Sequence, residues 1–141
     1  WKNRVGAVLS VAGQYSGNRL PTSEQIAFGG PRFALAYDPG SASGDSGWGA
    51  SFELNRSFAR GNRWVKAVVP YLAGQYARVY LNQAQPPLDR LGTVALGVRL
   101  SDNKHYNVDL SVAQPTADVP LESESGRRRP RLNLTFAYDF R

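Results

Sequence analysis

Apolar and polar residues alternate with a period of two along most of this chain, and helical periodicity is almost absent. Such alternation is typical of β-strands whose two faces meet different surroundings. In residues 131–141 every even position is leucine, phenylalanine or tyrosine, whereas the odd positions are polar or charged apart from Ala137. Comparable segments predict six strands, over residues 4–16, 47–57, 64–81, 91–101, 105–114 and 131–141. We therefore predict an all-β, antiparallel fold.

The predicted strand over residues 64–81 has less regular faces than the others. Pro70 and Gly74 interrupt it, and both of its sides carry apolar residues. Proline removes a ladder donor and glycine weakens a strand, and both are common where one strand carries an extra residue. We therefore predict a β-bulge in this segment.

The links between the predicted strands alternate between short and long. Short links with turn-forming residues lie at 59–62 and 101–104, and long links lie at 17–46, 82–90 and 115–130. Outer-membrane barrels have short periplasmic turns and long external loops, and about 9 to 11 residues let a tilted strand cross the bilayer. We therefore predict antiparallel transmembrane β-barrel strands joined by long links at one end and short turns at the other.

Aromatic residues cluster near the ends of the predicted strands, as interfacial girdles require. They are Trp1, Tyr15, Trp48, Phe58, Trp64, Tyr80, Tyr106 and Phe140. Aromatic residues that pack a soluble core would give the same pattern. Because six strands are fewer than the roughly 8 of the smallest spanning barrels, we expect the remaining strands to come from missing sequence or from other copies of the chain.

Composition excludes several kinds of site. The 141 residues include no cysteine and one histidine, so a disulfide framework, a thiolate metal site and a multi-histidine site are excluded, and no cofactor or metal is expected. No apolar run approaches the roughly 18 residues of a transmembrane helix. The chain opens on Trp1 without the features of a signal peptide, and we expect it to be a piece of a larger protein.

The formal net charge of +6 comes from basic residues that are mostly scattered along the chain. The one dense run is Arg127, Arg128 and Arg129. A solvated loop explains this run, and a contact with phosphates of lipopolysaccharide is the alternative. Nucleic acid is not expected as a partner.

Catalytic chemistry is not expected. His105 lies in a predicted turn beside Lys104, where a solvated role suits it better than that of a general base. Glu53 and Asp109 lie on the polar faces of different strands, where we expect them to pair with arginines such as Arg99. The glycine pairs and the Gly-Trp-Gly segment lack the strand-to-helix setting of a nucleotide loop.

Several segments resemble a known family of secretion transporters. They are "LPTSEQIAFGG" followed after about eight residues by "SGDSGWGASFEL", then "VVPYLAGQYARVY", "LGTVALGVRL", "YNVDLSVAQP" and "RPRLNLTFAYDF". The order and spacing of these motifs resemble the C-terminal part of the barrel of two-partner secretion transporters, the haemolysin-activator and filamentous-haemagglutinin-transporter family. The resemblance implies a bacterial outer-membrane location, periplasmic polypeptide-binding domains ahead of the barrel and export of one secreted exoprotein.

The same resemblance implies that residues 17–46 fold back into the barrel lumen. In this family an arginine at the loop tip pairs with an aspartate of the barrel wall. Here the tip reads Ala34-Leu35-Ala36-Tyr37, so Leu35 stands in place of the arginine, and Gln75 aligns with the aspartate. The candidate residues of the loop are Gly29, Gly30, Arg32, Leu35, Tyr37, Gly44 and Asp45, and Gln75 is the candidate wall partner. Arg32 could substitute for the missing arginine.

Three functions stay open at this point. The first is an outer-membrane pore that translocates a secreted polypeptide. The second is a structural or assembly barrel module that has lost transport together with the ionic contact at the loop tip. The third is a soluble β-sandwich or lipocalin-like binding protein, whose strands would alternate in the same way.

Overall fold

The computed structural model describes residues 4–59, 64–102, 104–121, 123 and 126–140. Trp1, most of the predicted turn at 59–62, and Asn103 of the turn at 101–104 lie outside the described residues. The described strands are β1 (Arg4–Gln14), β2 (Ile26–Phe28), β3 (Ala42–Gly44), β4 (Ser46–Ala59), β5 (Ala67–Tyr80), β6 (Arg90–Ser101), β7 (Tyr106–Pro115) and β8 (Arg131–Tyr138).

Six of these strands form one antiparallel sheet in the order β1-β4-β5-β6-β7-β8. The predicted all-β, antiparallel fold with six long strands is thereby confirmed, and most strand ends agree with the prediction to within three residues. The structure adds a two-stranded sheet of β2 and β3 inside the segment expected to be a loop. Each of these strands has three residues, which is too short for alternation to reveal.

The predicted bulge near Pro70 is wrong. Pairing between β5 and β6 keeps one register from Ala67 opposite Ser101 to Arg78 opposite Arg90. On the other side, β4 and β5 keep one register on either side of a short lapse in pairing that includes Pro70. A proline in such a lapse breaks no ladder hydrogen bond on that side. The apolar residues on both sides of β5 therefore reflect an inner face covered by the inserted segment and an exposed apolar outer face, rather than an extra residue.

The two faces of the sheet differ in the way that the alternation predicts. One face presents large apolar side chains that are exposed, including Leu9, Phe52, Leu96, Leu110 and Leu134. The opposite face carries the buried core, which the inserted segment covers. Exposed apolar area of this extent marks a surface that another apolar phase covers. Among the described residues there is no helix with the length and apolar content needed to cross a membrane.

All three long links lie at one end of the sheet. They connect β1 to β4, β5 to β6, and β7 to β8, and the short links from β4 to β5 and from β6 to β7 lie at the other end. Tyr15, Trp48 and Tyr80 are exposed near the long-link end, and Trp64 and Phe140 are exposed near the short-link end. Trp48 and Phe58 are separated by roughly 33 Å of strand, which a tilt of about 40° reduces to about 25 Å, the height of an apolar barrel band.

Candidate functional site

The segment between β1 and β4 folds back onto the inner face of the sheet. Its β2–β3 hairpin lies over β4, where Phe28 contacts the backbone of Gly47 and Gly49. A Cβ atom at Gly49 would lie 2.7 Å from the Phe28 ring, so a larger residue there would displace the hairpin. The Gly-Trp-Gly segment therefore has two functions, since its glycines admit the inserted loop and Trp48 lies on the outer face.

The tip of the inserted loop, residues 29–41, has a tightly turned backbone. Gly29 and Gly30 have positive φ angles of 122° and 82°, and Ala34 has φ 73°. The N–H of Gly29 donates to the carbonyl of Phe33 at 3.0 Å, and the N–H of Gly30 is shared between the carbonyls of Ala34 and Tyr37. A Cβ atom at Gly29 would lie 2.1 Å from the carbonyl oxygen of Asp38, so only glycine fits there.

Gln75 of β5 contacts the backbone of the loop tip at Leu35. Its Oε1 accepts a hydrogen bond of 2.7 Å from the backbone N–H of Leu35, and its Nε2 donates to the carbonyl of Pro31 at 3.3 Å. Glutamine thus contacts the backbone of the tip, with no requirement for a charged side chain at position 35. In this chain the two positions are joined by a neutral hydrogen bond.

Further hydrogen bonds attach the tip to β6 and to the last long link. The hydroxyl of Thr93, which is buried, accepts from the N–H of Ala36 at 3.3 Å. The side chain of Tyr37 is fully buried, and its hydroxyl donates to the carbonyl of Asp118 at 2.7 Å. Small residues on the inner face leave room for the tip; they are Ala73, Ala77, Ala95 and Ala113, and all are buried.

The last strand of the sheet, β8, contacts the other side of the tip. Arg131 Nη2 lies 2.5 Å from Asp38 Oδ1, and Asn133 Nδ2 donates to the carbonyl of Leu35 at 3.4 Å. Between this side of the tip and the inner wall lies a cavity of about 440 Å³. The tip is therefore in contact with β5 and β6 on one side and with β8 on the other.

Asp45 joins the inserted loop to the neighbouring long link. Its carboxylate is buried and accepts hydrogen bonds from the N–H of Asn82 at 2.9 Å, the N–H of Leu20 at 2.8 Å and the side chain of Gln25 at 3.3 Å. These donors, led by the Asn82 and Leu20 backbones, hold the pKa of Asp45 below its usual value. Next to it, a Cβ atom at Gly44 would lie 2.6 Å from the Tyr80 carbonyl, so the position requires glycine.

Nearer the short links, the inner wall carries a charged network. The guanidinium of Arg99 binds both carboxylate oxygens of Glu53, at 2.7 and 2.6 Å, and its Nε lies 3.0 Å from Asp109. Arg99 also lies over the ring of Tyr71 at 4.1 Å, and the Tyr71 hydroxyl donates to Asp109 at 2.7 Å. The pairing of Glu53 and Asp109 with Arg99 agrees with the expectation from the sequence, and it links β4, β5, β6 and β7.

Two sets of predicted residues lie apart from these contacts. The guanidinium of Arg32 lies 5.6 Å from the centre of the Phe33 ring, and its substitution for the missing arginine stays a prediction. Arg127, Arg128 and Arg129 are exposed in the link between β7 and β8. Their contact with lipopolysaccharide stays a prediction.

Sequence reasoning did not find the residues that hold the tip from β6, β8 and the last link. Thr93, Asp118, Arg131 and Asn133 were not singled out, and Asp38 was not recognised as a partner. A usable signal existed for Arg131 and Asn133, since both occupy the polar face of β8. Alternation places them on the inner side of the sheet but gives no information on which loop they meet.

Comparison with known proteins agrees with the geometry. Residues 7–100, about two-thirds of the chain, match the family described as haemolysin secretion/activation protein ShlB/FhaC/HecB. No curated protein and no solved structure matches the chain. The matched range includes the inserted loop and strands β4, β5 and most of β6. The chain therefore belongs to the ShlB/FhaC/HecB family of two-partner secretion transporters, which are proteins of the bacterial outer membrane.

Proposed function

We propose that residues 1–141 form the C-terminal portion of an outer-membrane barrel that translocates a secreted partner polypeptide. In this proposal the outer faces of β1 and β4 to β8 contact lipid, and the inner faces line the conduit. The inserted loop occupies the half of the conduit nearest the long links, and no residue carries out bond-breaking chemistry. The expected partners are the secreted exoprotein, lipid and lipopolysaccharide.

The observation that carries the proposal is the position of the inserted loop. It lies on the face opposite to the exposed apolar side chains, and its tip residues Phe33, Ala34, Ala36 and Tyr37 are buried against the inner wall. A segment in the lumen of a barrel can obstruct it, and withdrawal of that segment would open a passage for an extended chain. The neutral contact of Leu35 with Gln75 favours such movement, because it breaks without leaving a buried charge unpaired.

The edges of the sheet support a barrel completed by further strands. Within the described residues β1 pairs only with β4, and β8 pairs only with β7. In lipid each unsatisfied backbone group costs several kcal/mol, so an open edge would not be stable in the bilayer. We propose that the remaining strands come from sequence outside these 141 residues or from other copies of the chain.

Conductance in planar bilayers tests the proposal. The protein is purified together with the strands that complete its barrel and is reconstituted as the wild type, as a variant lacking residues 31–42, and as a control variant lacking residues 83–85, which are exposed in another long link. We expect channels in all three, with a larger conductance only when residues 31–42 are absent, because those residues lie over the inner wall. Silent bilayers for all three proteins would contradict the pore and favour a structural barrel module.

A further inference from the structure

The loop tip is held from two directions by contacts of different chemistry. On the β5 and β6 side, the N–H groups of Leu35 and Ala36 donate to the neutral side chains of Gln75 and Thr93. On the β8 side, the carboxylate of Asp38 lies 2.5 Å from the guanidinium of Arg131. Of these contacts, only the one with β8 joins two charges.

The packing of the loop tip also differs between its β5 and β6 side and its β8 side. Towards β5 and β6 the tip is closely packed, with Tyr37 fully buried in the same core cluster as Ala77 and Leu91 of the wall. Towards β8 it faces the cavity of about 440 Å³, which Leu35 and Pro39 line from the tip and Arg131 and Asn133 line from the strand. Burial of apolar surface therefore holds one side of the tip, whereas the other side depends on the ion pair and on the longer hydrogen bond from Asn133.

The ion pair is accessible to solvent ions. The side chain of Arg131 is 38% exposed and that of Asp38 is 44% exposed. Attraction between exposed charges weakens with salt, because the screening length falls from about 10 Å at 0.1 M to about 3 Å at 1 M ionic strength. Hydrogen bonds between neutral groups, such as that of Leu35 with Gln75, have no comparable dependence.

We propose that Arg131 is a positioning residue that clamps the loop tip to β8 through Asp38, so that release of the tip depends on ionic strength. The proposal deepens the proposed pore function, on which it rests, by naming the contact that regulates the inserted loop. Contacts with Gln75 and Thr93 set the resting position of the tip. The contact with Arg131 sets how often the tip leaves that resting position.

The absence of cysteine from the sequence allows a direct test. Ala36 is buried in the tip, so an Ala36→Cys variant reacts with a membrane-impermeant maleimide only when the tip opens. The labelling rate is measured in Ala36→Cys alone and in combination with Arg131→Gln or with Gln75→Ala, each at 0.1 M and 1 M salt. A half-exposed ion pair is weak, and we therefore expect about three- to fivefold faster labelling when Arg131 is replaced.

Salt dependence separates the clamp from a general loss of packing. We expect 1 M salt to speed labelling of the parent protein towards the rate of the Arg131→Gln variant, and to leave that variant unchanged. The Gln75→Ala variant should label faster than the parent at both salt concentrations and should keep the parent's salt response. Restoration of the parent's rate and salt response by the charge-reversed pair Asp38→Arg with Arg131→Asp would support the clamp strongly.

Equal labelling rates for the parent and the Arg131→Gln variant at 0.1 M salt would overturn the clamp, as would a salt response that persists in Arg131→Gln. The test is independent of transport. Silent bilayers would contradict the proposed pore while leaving these labelling rates unchanged, so failure of the clamp and failure of the pore are distinguishable.

Discussion

The space beside the inner wall of the sheet is filled by different groups in the two halves of the wall. In the half nearest the long links, the wall contains many small residues, such as Gly49, Ala77 and Ala95, and the chain's own inserted loop covers it. In the half nearest the short links, Arg99, Glu53, Asp109 and Tyr71 extend across the wall and contact one another. The outer face shows no such division, since it is apolar along both halves.

This difference shows how the occupant of the lumen determines the composition of the wall. Where protein packs against the wall, side chains must be small, as at Gly49 and Ala95. Where the loop does not reach, long charged side chains fill the space and satisfy one another. The first half therefore depends on shape and the second on charge, and substitutions in the two halves should have different consequences.

The largest effect is expected at the loop tip, where shape is most constrained. Replacement Gly29→Ala forces a left-handed backbone on alanine and places its Cβ against the Asp38 carbonyl. We expect a cost of about 3 kcal/mol or more to tip docking, seen as roughly 100-fold faster amide exchange over residues 29–41 by mass spectrometry. Gly40→Ala is the matched control, because Gly40 has φ 75° but open space around it. A similar effect from both variants would show that backbone strain alone is responsible.

A somewhat smaller effect is expected on the outer face, which is common to both halves. Leu134 is 69% exposed on β8, and replacement Leu134→Arg would place a charge among lipid tails. We expect about 2–4 kcal/mol of destabilisation in urea titrations of the protein in bilayers. Thr135→Arg, on the opposite face of the same strand, is the control and should be tolerated. Equal tolerance of the two variants would contradict the assigned faces.

In the charged half of the wall, replacement Arg99→Gln leaves Glu53 and Asp109 without their cation. Since these groups are only partly buried, we expect about 1–2 kcal/mol of destabilisation, less than for a fully buried pair. Urea unfolding followed by tryptophan fluorescence measures it. Amide exchange of the loop tip should stay unchanged in this variant, because the tip docks on the other half. Faster exchange there would show that the two halves are coupled.

The smallest effect is expected from protonation of Asp45 at the rim of the loop. Because its pKa is lowered in the folded protein, its contribution to stability is present above about pH 4 and is lost as the pH falls further. We expect pepsin to cleave near Leu20 increasingly below pH 4, after correction for the activity of pepsin on casein. An Asp45→Asn variant should lack this pH step. Identical pH profiles for both proteins would exclude Asp45 as the responsible group.

Much of the sheet could be predicted because alternation is a local property. The six long strands, their outer faces and the pairing of Arg99 all follow from which residues share a face. The bulge at Pro70 was predicted wrongly because the inner face of β5 is apolar where the loop covers it, which alternation cannot distinguish from an irregular strand.

The contacts that hold the loop tip could not be predicted from alternation, because they join residues far apart in the sequence. Leu35 and Asn133 are 98 residues apart in sequence, and their contact depends on how far the loop reaches along the lumen. The family resemblance pointed to Leu35 and Gln75, whereas no local pattern indicated that Arg131 would pair with Asp38. Positions on a shared strand face were therefore predictable, but partners brought together by the inserted loop were not.

The most direct test of the inserted loop is a disulfide between its tip and the wall. The N–H of Ala36 donates to the Thr93 hydroxyl at 3.3 Å, so the two positions are neighbours in the docked loop, and we expect cysteines placed there to cross-link on oxidation. In the outer membrane of intact cells, oxidation of the double variant Ala36→Cys with Thr93→Cys should give a faster-migrating, reductant-sensitive band on electrophoresis. Absence of that band, together with rapid maleimide labelling of Ala36→Cys from outside the cell, would contradict a loop docked in the lumen.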